Sequence, residues 1–252
     1  HPLPPVMDAI REPRPARPVS TLLGGRAPGT LSPWSASGRG RVGQRTRSLS
    51  RSYVIHSQRE RILDAVAQLS MLKGYASTSV EDVAAHAAIS LAAFYEHFAD
   101  KDDAFLVAYE VGHGKAQAIV ERVHDSQPDW PHAVRAGVAA LLEFLASEPA
   151  FTHLALVDAL IAGPRIADRA NKGILQYAQL LAPGVERTKP DREPPPIAIE
   201  AIAGAIFELC LAYATQGHVA RITELTPWAT YLALAPFTGT DTAGQLATEP
   251  AR

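Results

Sequence analysis

The chain has 252 residues, enough for one large domain or two modest ones with a buried core. No apolar run approaches the roughly 20 residues of a membrane span, so we expect no membrane partner. A single cysteine, Cys210, excludes a disulfide framework and a cysteine-based zinc site, and it favours the reducing cytoplasm.

Charge is distributed unevenly along the chain, although the formal net charge is only −2. Residues 1–61 hold 11 arginines and three acidic residues, whereas the rest of the chain holds 13 basic and 23 acidic residues. A basic N-terminal part joined to an acidic body is typical of a protein whose N-terminal end faces nucleic acid.

Residues 1–52 are predicted to be a disordered basic extension, because proline, glycine, serine and arginine dominate and apolar periodicity is absent. The segment lacks the compact apolar stretch of a signal peptide. Its arginines either contact DNA phosphates or belong to a solvated tail, and the sequence leaves both interpretations open.

Four helix starts are predicted within residues 53–110, each from a capping signal. Residues 57–60 and 78–81 have the pattern of capping boxes, with Ser57 and Thr78 as the caps. Ser90 and Asp100 are expected to cap the third and fourth helices.

The second and third of these helices form a predicted helix-turn-helix over residues 79–98. Small residues at Ala84 and Ala87 allow the two helices to cross closely, and Ile89 and Phe94 are placed to fix the turn. In this geometry the second helix of the motif enters the major groove of DNA while the first crosses the backbone.

Several elements of this region follow one another in a fixed order: Arg61 to Ala65, Gly74-Tyr75, Thr78 to Ala84, Ile89-Ser90, Phe94 to Phe98, and Lys101. Their order and spacing resemble the TetR family of bacterial repressors, from about Arg59 to Leu106. The resemblance implies a TetR-type DNA-binding domain over residues 53–110, with a helical domain behind it.

In that family the third helix enters the major groove, and flanking helix N-termini bind phosphates. The residues that the resemblance places at the DNA are Ser90, Leu91, Ala92 and Ala93 near base edges, Tyr95 and His97 near bases or phosphates, and Thr78, Lys101 and Arg59 near phosphates.

Two positions depart from the family's usual pattern. Ala88 stands at a turn position that usually holds glycine, and a positive φ there would strain it by on the order of 1 kcal/mol. The recognition helix starts with Leu91-Ala92-Ala93, which offer few hydrogen-bond donors. Contacts to thymine methyl groups and DNA shape would then contribute more to sequence recognition.

Behind residue 110 the fold is predicted to stay all-α, as an antiparallel helical ligand-binding and dimerisation domain over residues 111–237. Apolar periodicity and proline positions predict helices at 100–125, 130–147, 150–162, 165–182, 197–216 and 219–235. A proline-rich loop is expected at 183–196, and a flexible tail at 238–252.

Two functions are expected of this rear domain. The helices at 197–216 and 219–235 would join two copies into a homodimer, as two such helices do in the family. The middle helices would enclose a pocket for a small apolar effector. Candidate lining residues, each of which could instead be an ordinary core or surface residue, are Trp130, His153, Asp158, Tyr177 and Tyr213.

The resulting hypothesis is a cytoplasmic transcriptional regulator, a homodimeric repressor that leaves a palindromic operator in double-stranded DNA when a small molecule binds. No metal site, cofactor or catalytic residue is predicted, because the sequence has no phosphate-binding loop, nucleophile elbow or metal-ligand spacing. An activator, a ligand-independent regulator, and a helical adaptor or enzyme stay open as alternatives.

Overall fold

The structure, a computed structural model, describes residues 51–188 and 194–249, which form helices and turns with no strand in either range. The α-helices in chain order are α1 (Arg51–Lys73), α2 (Val80–His86), α3 (Leu91–Tyr95), α4 (Lys101–Asp125), α5 (Trp130–Ser147), α6 (Pro149–Leu156), α7 (Pro164–Ala178), α8 (Ala182–Arg187), α9 (Ala198–Thr215), α10 (Thr226–Thr238) and α11 (Thr240–Thr248). Short 3-10 helices occupy Asp158–Leu160, Gln179–Leu181 and Val219–Leu225. The predicted all-α fold is confirmed. Residues 1–50 of the predicted extension lie outside the described residues.

Helix α1 begins earlier than the sequence predicted. It starts at Arg51, so Ser57 lies inside the helix, and the predicted capping box at residues 57–60 is wrong. No glycine or proline interrupts this stretch, and His56 Nε2 lies 3.3 Å from Glu60 Oε1 one turn later. Helix propagation therefore outweighs the preference of serine for a cap position.

The next three helix starts are capped, although one cap is shifted by a residue. Ser79, not Thr78, caps α2: its side chain accepts a hydrogen bond from the Asp82 N–H, and the Asp82 carboxylate accepts one from the Ser79 N–H. Ser90 and Asp100 cap α3 and α4 as predicted. These caps satisfy N–H groups that have no partner within their own helix.

A continuous apolar core runs from the N-terminal helices into the rear domain. Helix α1 packs against α2, α4 and α6, so one helix contacts both halves of the molecule. Ile62 of α1, Phe94 of α3 and Phe105 of α4 are fully buried in the same cluster. Burial of one such side chain stabilises by about 1.5–3 kcal/mol, so this cluster fixes the position of α3.

The rear domain is arranged around α5, which packs against α4, α10, α11 and the 3-10 helix Val219–Leu225. Helices α4, α5 and α9 match their predicted bounds to within one residue. Residues 219–225 form a 3-10 helix rather than the start of α10. Residues 183–187, predicted as loop, belong to α8. Pro183 lies in the first turn of this helix, where a backbone N–H would have no acceptor within the helix, so proline is tolerated there.

Residues 240–248, predicted as a flexible tail, form α11, so that prediction is wrong for this segment. Gly239, with φ of +85°, reverses the chain after α10. Ala243 and Leu246 are then buried in a cluster that includes residues of α5 and α10. Arg135 of α5 donates through Nε to the Leu246 carbonyl oxygen at 2.9 Å, in the last turn of α11, and this bond ties α11 to α5.

Helix α9 is apolar but weakly covered within a single chain. By length and composition it is the one described helix that could cross a membrane by itself, a criterion that core helices of soluble proteins also meet. Five of its 18 residues are buried against the described part of the chain. Its exposed residues Ala201, Gly204, Ala205 and Glu208 fall at helical spacing and form the α9 face.

Candidate DNA interface and effector cavity

The turn between α2 and α3 is held by a charged side chain from α1. Arg61 donates through Nη1 to the backbone carbonyl oxygens of Ala87 and Ala88, at 2.8 and 3.3 Å. Ala88 has φ of +52° and is the one non-glycine residue of the described ranges with a positive φ. The turn therefore adopts the left-handed conformation that glycine usually supplies, and alanine bears the strain.

Helix α3 buries one side and exposes the other. Phe94 is fully buried, whereas Leu91 is 42% exposed and Tyr95 is 56% exposed. Ser90 and Ala92 are exposed as well. We call Ser90, Leu91, Ala92 and Tyr95 the α3 surface; it brings together four of the nine residues that the sequence placed at DNA.

Three further predicted contacts flank the α3 surface and are half-buried. Ala93 lies beneath it, and His97 Nε2 is 3.4 Å from Gln58 Oε1 of α1. The Arg59 guanidinium lies 4.7 Å from the centre of the Phe98 ring, a cation–π contact. These contacts hold the His97 ring near α1 and the Arg59 guanidinium over the Phe98 ring.

Lys101 and Thr78 are engaged within the protein. Lys101 donates to the Tyr75 carbonyl oxygen at 2.9 Å and lies 3.9 Å from the centre of the Tyr75 ring. Thr78 is buried, and its hydroxyl donates to the Gly74 carbonyl oxygen at 2.9 Å. The predicted phosphate contact of the Thr78 hydroxyl does not fit this conformation, because the adjacent Ser79 is the exposed residue at the start of α2.

A cavity of about 140 Å³ lies within the rear domain. One face of α4 lines it with residues at helical spacing: Tyr109, His113, Ala116, Val120 and His124. The other walls come from α5, α6, α7, α9 and α10 and are almost entirely aliphatic or aromatic, including Leu141, Phe151, Ile174, Ile206 and Cys210.

Burial disfavours the charged forms of His113, Tyr109 and Cys210 at this cavity. His113 stacks on Tyr109, and its Nε2 lies 2.6 Å from Gln176 Oε1. Burial lowers the pKa of His113 below 6.5, and it raises the pKa values of Tyr109 and Cys210 to about 12 each. No lysine, arginine, aspartate or glutamate lines the cavity among the described residues. The cavity therefore suits an uncharged, largely apolar molecule.

Of the five residues predicted to line a pocket, Tyr177 is the one that the described structure places at this cavity. Trp130 is buried against Phe237, and its indole N–H donates to the Leu180 carbonyl oxygen at 3.0 Å. Tyr213 is buried away from the cavity. The predicted positions of Trp130 and Tyr213 are thus corrected: their burial reflects core packing.

His153 and Asp158 also lie elsewhere, where the rear domain meets α1. Asp158 is 2% exposed, and its Oδ2 accepts hydrogen bonds from the Ser70 hydroxyl and from the Tyr75 N–H, the latter at 3.0 Å. His153 Nδ1 is 3.6 Å from the same oxygen. We call Ser70, Tyr75 and Asp158 the Asp158 junction, since it joins the segment after α6 to the turn between α1 and α2.

Comparison with known proteins identifies the N-terminal region. Residues 62–108 match the family described as bacterial regulatory proteins, tetR family. The chain carries a TetR-type DNA-binding domain. This match confirms the resemblance found in the sequence. No protein with a curated description matches the chain.

Solved bacterial transcriptional regulators share the fold of most of the chain. The fatty acid degradation regulator FadR from Bacillus halodurans is 18% identical, with a TM-score of 0.63 over 70% of this chain and 94% of its own. FadR from Bacillus subtilis, solved in complex with stearoyl-CoA, is 14% identical, with a TM-score of 0.57 over 71% and 98%. A regulator from Aquifex aeolicus is 23% identical, with a TM-score of 0.53 over 67% and 95%. At these identities the likeness shows the fold, a TetR-type domain followed by a helical domain.

Two residues of this TetR-like fold were missed as functional candidates. Arg61 belongs to the sequence motif, but its bond to the turn joins residues 26 and 27 positions apart, which no local pattern reveals. His124 lies 11 residues after His113, on the same face of α4. That spacing, three helical turns, was a readable signal.

Ala88 provides a test of the turn geometry. Ala88→Gly is expected to raise the free energy of unfolding by about 0.5 kcal/mol, because relief of about 1–2 kcal/mol of left-handed strain exceeds the entropic cost of glycine, about 0.5–1 kcal/mol. Ala88→Val should lower it by about 1 kcal/mol, because β-branched residues tolerate positive φ poorly. Urea unfolding followed by circular dichroism measures both, and a valine variant as stable as the glycine variant would contradict the strain.

The Asp158 junction provides a second test. Asp158→Ala is expected to lower the free energy of unfolding by about 2–3 kcal/mol, because two buried donors lose their acceptor. Asp168→Ala is the matched control: Asp168 is exposed and pairs with Lys172 on the surface of α7, so its loss should change stability by less than about 0.5 kcal/mol. Equal effects of the two substitutions in urea unfolding would show that the junction is not a structural connection.

Proposed function

We propose that this chain is a sequence-specific transcriptional regulator, a homodimeric repressor that leaves a palindromic operator when a small apolar molecule binds in the rear cavity. The observation that carries the proposal is the α3 surface, exposed at the end of a turn that Arg61 clamps to α1. The proposal gives the chain a cytoplasmic location and no catalytic role.

The composition of the α3 surface supports recognition that depends on few hydrogen bonds. Tyr95 offers a phenolic hydroxyl, and the Ser90 hydroxyl keeps its proton for donation while its oxygen accepts from the Ala93 N–H at 3.1 Å. Leu91 and Ala92 present methyl groups that suit contact with thymine methyls. Sequence preference would therefore depend partly on the shape and deformability of the operator.

A dimer follows from the need to read two half-sites, since one helix-turn-helix reads only one. The α9 face offers small residues that allow close helix packing, and a Cβ added at Gly204 meets no atom within 4 Å among the described residues. In the predicted partner segment 219–235, Ile222, Leu225 and Leu234 are buried within their own chain. The half-buried Trp228 and Leu232 are left to join α9 in the interface.

The route from cavity to DNA-binding domain passes through α6. Phe151, Ala155 and Leu156 of α6 line the cavity, and Asp158 follows two residues after the helix ends. A ligand that displaces α6 would therefore act on the turn that precedes α2. To release DNA, the ligand must bind more tightly to the conformation that cannot bind DNA. The complex of B. subtilis FadR with stearoyl-CoA supports the capacity of this fold to bind a molecule that carries an apolar chain.

The α3 surface is tested with a matched pair of leucines. Leu91 is 42% exposed and Leu160 is 41% exposed, but Leu160 lies in the 3-10 helix of the rear domain. A Leu91→Ala, Tyr95→Ala variant is expected to bind operator DNA at least about tenfold more weakly, because both side chains contact the groove. Leu160→Ala should bind like the unmodified protein.

The measurement is a gel shift with DNA that flanks the chain's own gene, titrated with salt and competitor DNA. Circular dichroism must show unchanged helicity in both variants. Undiminished, competitor-resistant binding by the double variant would refute the placement of α3 in the groove. Salt-labile binding without a discrete complex would instead favour a protein that does not read this DNA sequence.

The dimer is tested at Gly204. Gly204→Arg is expected to convert the protein to a monomer, because a buried, unpaired guanidinium at the α9 face opposes association. Gly114→Arg is the control, since a Cβ at Gly114 on α4 likewise meets nothing within 4 Å in the described structure. Light scattering after size-exclusion chromatography gives the mass of each variant. A dimeric Gly204→Arg variant would exclude this face from the interface.

A further inference from the structure

Buried glycines lie inside four α-helices of the described ranges: Gly112, Gly137, Gly173 and Gly184. Glycine in a helix interior is less stable than alanine, because it loses more backbone freedom on folding. Among the described residues, the positive φ values that require glycine occur at other positions. A buried helical glycine therefore needs a reason in its surroundings, and the surroundings of these four differ.

Three of these glycines are explained by packing against aromatic side chains. A Cβ at Gly112 would lie 2.2 Å from the Phe151 ring, and a Cβ at Gly173 would lie 2.3 Å from the Tyr109 hydroxyl oxygen. The third, in α8, would place its Cβ 2.4 Å from a tryptophan ring. Non-bonded heavy atoms pack at about 3.5–4.0 Å, so alanine at any of these positions would overlap its neighbour.

Gly137 of α5 is not explained in this way. A Cβ at this position meets one atom within 4 Å among the described residues, Cγ1 of Val120, at 3.4 Å. This distance is close to an ordinary van der Waals contact, so alanine fits there without a clash. Gly137 is buried, and both Gly137 and Val120 line the rear cavity. The space in front of Gly137 is therefore cavity space.

Position 137 is central to the wall that α5 gives the cavity. Val134, Val138 and Leu141 line the cavity around it at helical spacing. A larger side chain at this position would therefore take up cavity volume before it displaced a neighbour. The cavity measures about 140 Å³. An engineered apolar cavity of about 150 Å³, made by truncating one buried leucine in another protein, binds benzene.

We propose that Gly137 determines the size of the effector: it leaves this part of the α5 wall without a side chain and so makes room for a compact, uncharged apolar molecule about the size of a benzene ring. The molecule packs against the Gly137 backbone and the Val120 side chain and needs no hydrogen bond to the wall. The inference rests on the proposed effector role of the cavity.

The binding test uses benzene as the probe and the full-length protein, and isothermal titration calorimetry measures each dissociation constant. Gly137→Leu is expected to bind benzene at least about tenfold more weakly than the unmodified protein, because the leucine side chain fills the space that benzene needs. Gly137→Ala should fall between the two, because one methyl group fills part of that space. Gly114→Leu is the control and should bind like the unmodified protein, since Gly114 is exposed on α4 and lies outside the cavity.

Thermal unfolding separates this role from a packing role. Gly137→Ala is expected to raise the Tm by about 2–4 °C, because alanine favours the helix and its methyl group contacts Val120. Gly114→Ala should raise the Tm through helix preference alone. Gly112→Ala should lower it, because its Cβ overlaps the Phe151 ring. Circular dichroism follows the unfolding and checks that every variant is folded; if the leucine variant is not, Gly137→Ala decides the test.

Three outcomes would overturn the inference: no binding of benzene by the unmodified protein, undiminished binding by the folded Gly137→Leu and Gly137→Ala variants, or a lowered Tm for Gly137→Ala. Saturable binding of stearoyl-CoA that displaces benzene would also overturn it, because a long acyl chain needs a larger cavity. A gel shift on the same preparations separates this inference from the proposed function. Operator binding without benzene binding refutes the size assignment alone, whereas absence of operator binding refutes the regulator.

Discussion

The packing of α1 against α2, α4 and α6 is the contact on which the rest of the molecule depends. Helices α2 and α3 have seven and five residues, lengths at which an isolated helix is not stable in water. They persist because Phe94 is buried beside Ile62 and because Arg61 binds the carbonyl oxygens of the turn. The stability and position of α3 therefore depend on its contacts with α1 as much as on its own sequence.

The same helix gives the rear domain a connection to the DNA-binding domain that differs in kind from core packing. Apolar contacts between α1 and α6 are non-directional. The bonds from Ser70 and Tyr75 to Asp158 are directional and hold one geometry. If ligand binding shifts α6 as proposed, these hydrogen bonds form a short path from that helix to the start of the helix-turn-helix.

The sequence predicted the helices and their order well, because caps and apolar spacing are local signals. It failed where local signals compete or where a role depends on distant contacts. Ser57 has the pattern of a cap but lies inside α1, which begins six residues earlier at Arg51. The cap of α2 is Ser79, one position after the predicted Thr78. The α11 segment has little apolar content of its own, and its order comes from burial against α5 and from Arg135. Polar and aromatic residue types suggested His153 and Asp158 as ligand contacts, yet the same polarity serves the junction with α1.

Cys210 is the single thiol of the chain and lines the cavity, and burial raises its pKa to about 12. At neutral pH the thiolate is scarce, and burial of the side chain keeps reagents away from it. Alkylation of Cys210 then proceeds only in the fraction of molecules whose cavity is open to solvent. The rate at which a small thiol reagent labels Cys210 therefore measures how often the rear domain opens. Mass spectrometry can follow this labelling without a dye, a DNA probe or a known effector.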